Sequence, residues 1–300
     1  MRDRARARIC LLPLVSSLAA GCAHGQSDPP LLGLSVSISD LQLHLRDDPY
    51  RSFNQLDGDG QNVFAVARWK IERFQRERGL LPDGWQLEDY VLELAHARTL
   101  ERLHLYRQAI DAYERVAQGP APMAAPARSS AQTLQRFAAL ARPLPADASP
   151  DEILAEVDRR IAAWTEAAEQ MTDPGYASLA REEVEGWERL RVHFLARERG
   201  LGDAIDACEQ LVRHHAESKL HSRHLIELGD LHAEEVRDIV LWARAQQEAL
   251  EGTAFESHFD SALAAYELAS EAPLPMFREE AQSRIQALLA YHDGVMNGVY

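Results

Sequence analysis

The chain has 300 residues, 47 acidic against 32 Lys and Arg side chains, and a formal net charge of −15. A body this acidic is poorly suited to nucleic acid, whose affinity comes largely from neutralised phosphates, and anionic lipid surfaces repel it. Ala, Leu, Glu and Arg dominate, which favours helix, and three Cys are too few for a disulfide framework.

Residues 1–21 read as an export signal. Arg2, Arg4, Arg6 and Arg8 give a positive start, and Ile9 to Ala20 form an apolar run of 12 residues. That is shorter than the ~20 residues of a permanent spanning helix. The run ends Leu18-Ala19-Ala20-Gly21-Cys22, which resembles a bacterial lipobox, although Ala19 stands where that family more often has Leu. The resemblance implies acylation of Cys22. Because Ala23 rather than Asp follows, it also implies a lipid anchor in the outer membrane, and the body is then expected in the periplasm or, as the alternative, at the cell surface. Secretory cleavage nearby, with Cys22 incidental, is the alternative. Residues 1–21 hold four Arg and one Asp, so their loss takes the net charge from −15 to −18. Cys208 is then the single internal thiol, and its expected role is a buried, small hydrophobe rather than a nucleophile.

Residues 22–39 are expected to be a tether, with Gly25, Pro29 and Pro30, that ends in an extended lead-in. An N-terminal helical lobe is assigned to 40–142. It opens with a short helix at 40–46 and a turn at Asp57-Gly58-Asp59-Gly60. The two Asp invite comparison with a calcium loop, but Gly60 comes early and Arg68 stands where the closing Glu belongs, so an Asp-Gly turn capping the next helix is preferred. Helices are then expected over Gln61–Arg78, Leu87–Leu103, Tyr106–Gln118 and Ser129–Arg142. Pro143 to Ala148 reads as a linker. A C-terminal helical lobe over 149–300 begins with the capping box Ser149-Pro150-Asp151-Glu152. Its helices run to about Met171, from Asp173 to Arg199, through a second segment after Gly200, and over Ser218 to Leu250. Gly229 is expected to bend that last helix and Gly252 to end it. A further helix precedes Pro273, and a last one runs through Phe277 and Leu288.

Three of these helices carry the same phrase. Ala109, Ile110, Tyr113 and Val116 recur as Ala204, Ile205, Cys208 and Leu211, and again as Ala262, Leu263, Tyr266 and Ala269. The offsets put the Ala, the large side chain and the last aliphatic residue on one helical stripe. A small residue there lets a neighbouring helix approach, and the large one fills the space beyond it.

The phrases resemble the second helices of tetratricopeptide repeats, with Pro120 or Pro122 and Pro273 as the terminating Pro. Leu225, Leu228, Gly229 and His232 resemble the first-helix half. The Ala markers lie 95 and 58 residues apart, neither a multiple of that family's period of about 34. The expected fold is therefore all-α, an irregular TPR-like helical-hairpin solenoid, with a generic helical bundle as the alternative. The family resemblance implies a concave groove that takes peptides or partner helices. Arg98 and Arg102 share one helical face, as do Arg189, His193 and Arg197. These five are the candidate groove residues for an acidic segment or a C-terminal carboxylate, or else solvated side chains on exposed faces.

No phosphate loop, nucleophile elbow or dinucleotide fingerprint is present. His214, His215, His221, His224 and His232 cluster without a metal-ligand frame, and Glu93/His96 and Glu101/His104 have Glu-x-x-His spacing on a single helix. No catalytic residue, metal site or cofactor is assigned. The expected partners are envelope proteins or peptides and, through Cys22, the membrane, with no nucleic acid. The expected role is a protein-interaction scaffold, and a cell-wall hydrolase on a helical scaffold is the alternative.

Overall fold

The structure is a computed structural model that describes residues 63–78 and 85–298. The export signal, Cys22, the tether, the short helix at 40–46 and the Asp57 turn lie outside the described residues. The described residues form ten helices and no strand: α1 Val63–Arg78, α2 Leu87–Arg102, α3 Tyr106–Val116, α4 Ala121–Leu140, α5 Pro150–Gln170, α6 Pro174–Glu198, α7 Leu201–His214, α8 His221–Gln246, α9 Gly252–Ser270 and α10 Pro275–Met296.

The all-α expectation holds, and local chemistry explains where several helices start. The Ser149 hydroxyl accepts from the Glu152 amide, while the Ser149 amide donates to the Glu152 carboxylate at 2.8 Å. These two bonds satisfy amide groups that the first turn leaves without partners. Asp173 does the same for α6, accepting from the Gly175 amide at 2.8 Å and the Tyr176 amide at 3.3 Å. Gly200, at φ 114°, supplies the left-handed residue between α6 and α7.

Three boundaries differ from expectation. Helix α4 begins at Ala121, not Ser129: Pro120 is its cap and Pro122 lies in the first turn, where the missing N–H costs nothing. Pro126, farther in, does remove one bond, but Ala121, Ala124, Ala125 and Ala127 around it are the strongest helix formers. Helix α8 runs unbroken past Gly229, so that glycine is not a bend. Gly252 opens α9 instead of ending α8, which stops at Gln247 in a left-handed conformation, φ 57°.

Each helix packs against its neighbours in the chain, and α8 also touches α10. The apolar core is correspondingly divided into four clusters in chain order. One lies between α1 and α2, and the largest joins α2 to α6. A third lies between α6 and α7, and the last joins α8, α9 and α10. The largest cluster crosses the coil at 141–149. The rings of Phe137 (α4) and Trp164 (α5) meet edge to face at 4.9 Å, flanked by Tyr106 and Tyr176. Arg160 fastens that coil: buried against the Trp187 ring at 4.6 Å, it donates to the Arg142 and Pro143 carbonyls and pairs with Glu156 at 2.8 Å.

The three phrases fall on α3, α7 and α9, and each packs on the helix before it. All nine stripe residues are at most 2 % exposed: Ala109, Tyr113 and Val116; Ala204, Cys208 and Leu211; Ala262, Tyr266 and Ala269. The recurring pattern in sequence is therefore a recurring contact in space.

Candidate functional site

Burying an ionisable side chain is costly unless it is paired. The places where such side chains are buried are therefore informative. Among the described residues, the buried polar or charged side chains other than Arg160 all lie on α2, α6 and α8, the helices that precede the phrase helices. These helices, with α10, carry a polar seam through the array.

The seam begins at Glu93 on α2, which is 1 % exposed. It accepts from Arg115 on α3 at 2.6 and 2.9 Å and from Gln75 on α1 at 2.6 Å. Burial alone would raise its pKa; His96 and Arg115 together hold the carboxyl below the usual range. Two turns further along α2, Glu101 accepts from the hydroxyls of Tyr113 at 2.8 Å and Tyr176 at 3.3 Å. Burial dominates there, and the carboxyl is pushed up.

Between α2 and α6, Arg102 meets Glu182 at 3.1 Å. Glu183 receives the Tyr106 hydroxyl and lies against His104 Nδ1, both at 2.6 Å. His104 is in a left-handed conformation, φ 58°, in the turn between α2 and α3. Burial raises Glu182, whereas hydrogen bonds from His104 and Tyr106 bring Glu183 down despite its burial.

The α6–α8 junction is the densest part. His224 is fully buried, with Nε2 2.6 Å from Glu185 and Nδ1 3.9 Å from Glu227. Ser218 donates to Glu185 at 2.5 Å. Arg189 grips Glu227 through two nitrogens, at 2.5 and 2.9 Å. Burial opposes ionisation of Glu227, yet His224 and Arg189 bring its pKa down to about 2. Glu188 faces two imidazoles, His214 and His215, each at 3.0 Å. The seam continues to α10 through Arg223 and Glu280 at 3.1 Å, and through Asp230, which takes the Tyr266 hydroxyl at 2.7 Å and lies 3.2 Å from Arg284.

The candidate groove residues separate into two kinds. Arg102 and Arg189 are seam members, each turned to a carboxylate of the next helix in the seam. Arg98 and His193 are exposed, and so is Arg197, which pairs with its neighbour Glu198 at 2.6 Å beside the Phe194 ring. Cys22 lies outside the described residues. Cys208 is buried; its thiol lies 3.8 Å from the His224 carbonyl and is pushed up to about 12 by burial. A thiol held so far from its thiolate is a packing group and not a nucleophile at neutral pH. The paired Glu-x-x-His spacings belong to the seam, with Glu93 on Arg115 and His104 on Glu183. Among the described residues, no group of three or more His, Cys, Asp or Glu side chains is placed to hold a metal ion.

The sequence reading missed most of the acidic half of the seam, Glu182, Glu185, Glu188 and Glu227, and gave Glu93 and Glu101 no role. A signal did exist. Glu185 lies beside Val184, and Glu227 beside Ile226, inside apolar stripes where a solvated Glu is out of place. His224, expected on a solvated face, is buried for the same reason. Chemically, the arrangement pairs charges between helices and fixes their register. No family model, curated protein or solved structure matches this chain.

Proposed function

We propose that this chain is a TPR-like helical-hairpin solenoid, held at the bacterial outer membrane through acylated Cys22, that serves as a scaffold for envelope proteins or peptides. The observation that carries the reading is the recurrence of one buried stripe on α3, α7 and α9, each packed on its preceding helix. Hairpins of this kind bury one face on their neighbours and present a long surface on the other, which suits partner binding. The polar seam supports it: ion pairs buried between α2, α6 and α8, and half-exposed ones between α8 and α10, fix how successive hairpins sit, and so fix the shape of any surface they share. No helix among the described residues is long and apolar enough to cross a membrane. Attachment in this reading therefore rests on Cys22 and on two or more acyl chains, each buried CH2 contributing ~0.8 kcal/mol.

The test is affinity capture from detergent-solubilised envelopes with the intact chain, alongside incubation with purified cell-wall material. A stoichiometric protein partner supports the scaffold. Release of soluble wall fragments, abolished by one Glu→Gln change, replaces it with the hydrolase.

A further inference from the structure

A cavity of about 190 Å³ opens between α8, α9 and α10, lined by Ala233, Arg237, Tyr266, Arg284, Leu288 and Tyr291. Its volume is below the ~300–1,000 Å³ of pockets for drug-sized ligands, so it suits a fragment the size of one amino-acid side chain with its polar end. The floor is apolar and closely packed: Ala233, Tyr266 and Leu288 are all buried.

The rim is an ordered charge network with one member left over. Arg223 pairs with Glu280 at 3.1 Å, and Arg284 lies 3.2 Å from Asp230 and 3.8 Å from Glu280. Asp230 also accepts from the Tyr266 hydroxyl, and burial together with that carboxylate holds the phenol protonated. Arg237, one turn beyond Ala233 on α8, has no carboxylate partner among the described residues, although it stands close enough to the Tyr266 hydroxyl to bias its ionisation. Glu234, three residues before Arg237 and so its neighbour on the helix surface, is exposed and forms no ion pair with it, and Asp238, the next residue, is exposed and offset around the helix. The rim therefore carries one guanidinium without a direct ion pair beside an apolar floor.

We propose that this cavity binds a small carboxylate bearing one short apolar group, its anion held by Arg237 and its apolar part resting on Ala233, Leu288 and the Tyr291 ring. The planar fork of Arg matches a carboxylate with two parallel hydrogen bonds. The carboxylate has two possible sources, a free small molecule or the terminus of a peptide. The site is independent of whether the array as a whole is a scaffold.

Isothermal titration of the full chain tests it, with N-acetyl-leucine, its uncharged amide, inorganic phosphate and a five-residue peptide ending in Leu as probes. At ligand efficiencies usual for small ligands, N-acetyl-leucine should bind with Kd on the order of 1 mM. The amide should bind at least tenfold more weakly. Arg237→Gln, an exposed substitution, should weaken N-acetyl-leucine at least tenfold with circular dichroism unchanged, and Ala233→Leu, which fills the floor, should abolish binding. A peptide that binds more tightly than N-acetyl-leucine assigns the site to a chain terminus, and one that does not assigns it to a free carboxylate; both keep the proposal. Equal binding of acid and amide, tighter binding of phosphate, an Arg237→Gln chain that binds as well as the parent, or no heat with any probe at 10 mM (roughly ten times the expected Kd) overturns it.

Discussion

The ring of Tyr266 on α9 occupies the space that Gly229 on α8 leaves open: a Cβ on Gly229 would stand 2.5 Å from Cε1 of that ring. The glycine sits in mid-helix, where Ala would be favoured by ~1 kcal/mol, so close approach is its reason for being there. Overpacking a filled core costs ~1–3 kcal/mol, and the ring is almost wholly buried, so the clash outweighs the propensity gain. Gly229→Ala should lower the urea midpoint, and the Gly229→Ala, Tyr266→Leu pair should cost less than the sum of the two single changes. Additive costs would mean that the two residues do not share this space.

His224 makes the α6–α8 junction pH-dependent. Burial would lower its pKa, but Glu185 and Glu227 outweigh burial and raise it above the usual value. Its contribution to stability is therefore full below about 6.5 and is lost as pH rises through the raised folded value. His224→Gln should cost more at pH 6 than at pH 9, on the order of 3–5 kcal/mol at the acid end, where it leaves buried Glu185 without its charged partner. His232 should behave in the opposite way. Burial and then His258, 2.9 Å away, lower its pKa, so its neutral form is the one that stabilises, and that contribution is lost as pH falls through the depressed folded value. Thermal melts of the two Gln variants across pH 5 to 9 should give ΔTm slopes of opposite sign, and slopes of equal sign would refute the assignment.

The five groove candidates should divide in the same way under alanine substitution. Arg189→Ala leaves buried Glu227 with a weaker hold from Arg223 at 3.3 Å and should cost about 1–3 kcal/mol. Exposed His193 and Arg197 should each change stability by less than ~0.5 kcal/mol. Chemical denaturation of the three variants measures this directly.

Cys208 should be inert while the fold is intact. In a chain carrying Cys10→Ser and Cys22→Ser, iodoacetamide should label Cys208 slowly at pH 8 and fast in 6 M guanidinium. Equal rates in both would contradict its burial.

How much of this was legible depends on what the residues had to do. The phrase helices could be read because Ala109, Tyr113 and Val116 share one apolar stripe whose period survives without knowledge of the neighbour. The caps at Ser149 and Asp173 could be read because a cap is local chemistry. The seam was less legible. Whether Glu185 is solvated or buried depends on His224, 39 positions away, and no short window contains both. Gly229 misled for a related reason: its partner, Tyr266, lies on another helix. The start of α4 was hidden because Pro122 signals a break unless it falls in a first turn, and that is known only once the helix is placed.

The scaffold reading is most directly tested by site-specific photocrosslinking in living cells, with the photoreactive residue placed in turn at positions 98, 193 and 197, and at exposed Ser257 as a control. A scaffold should give a discrete high-mass protein adduct from at least one of the first three positions and none from the control. The absence of any protein adduct, together with release of cell-wall fragments by the same chain, would contradict it.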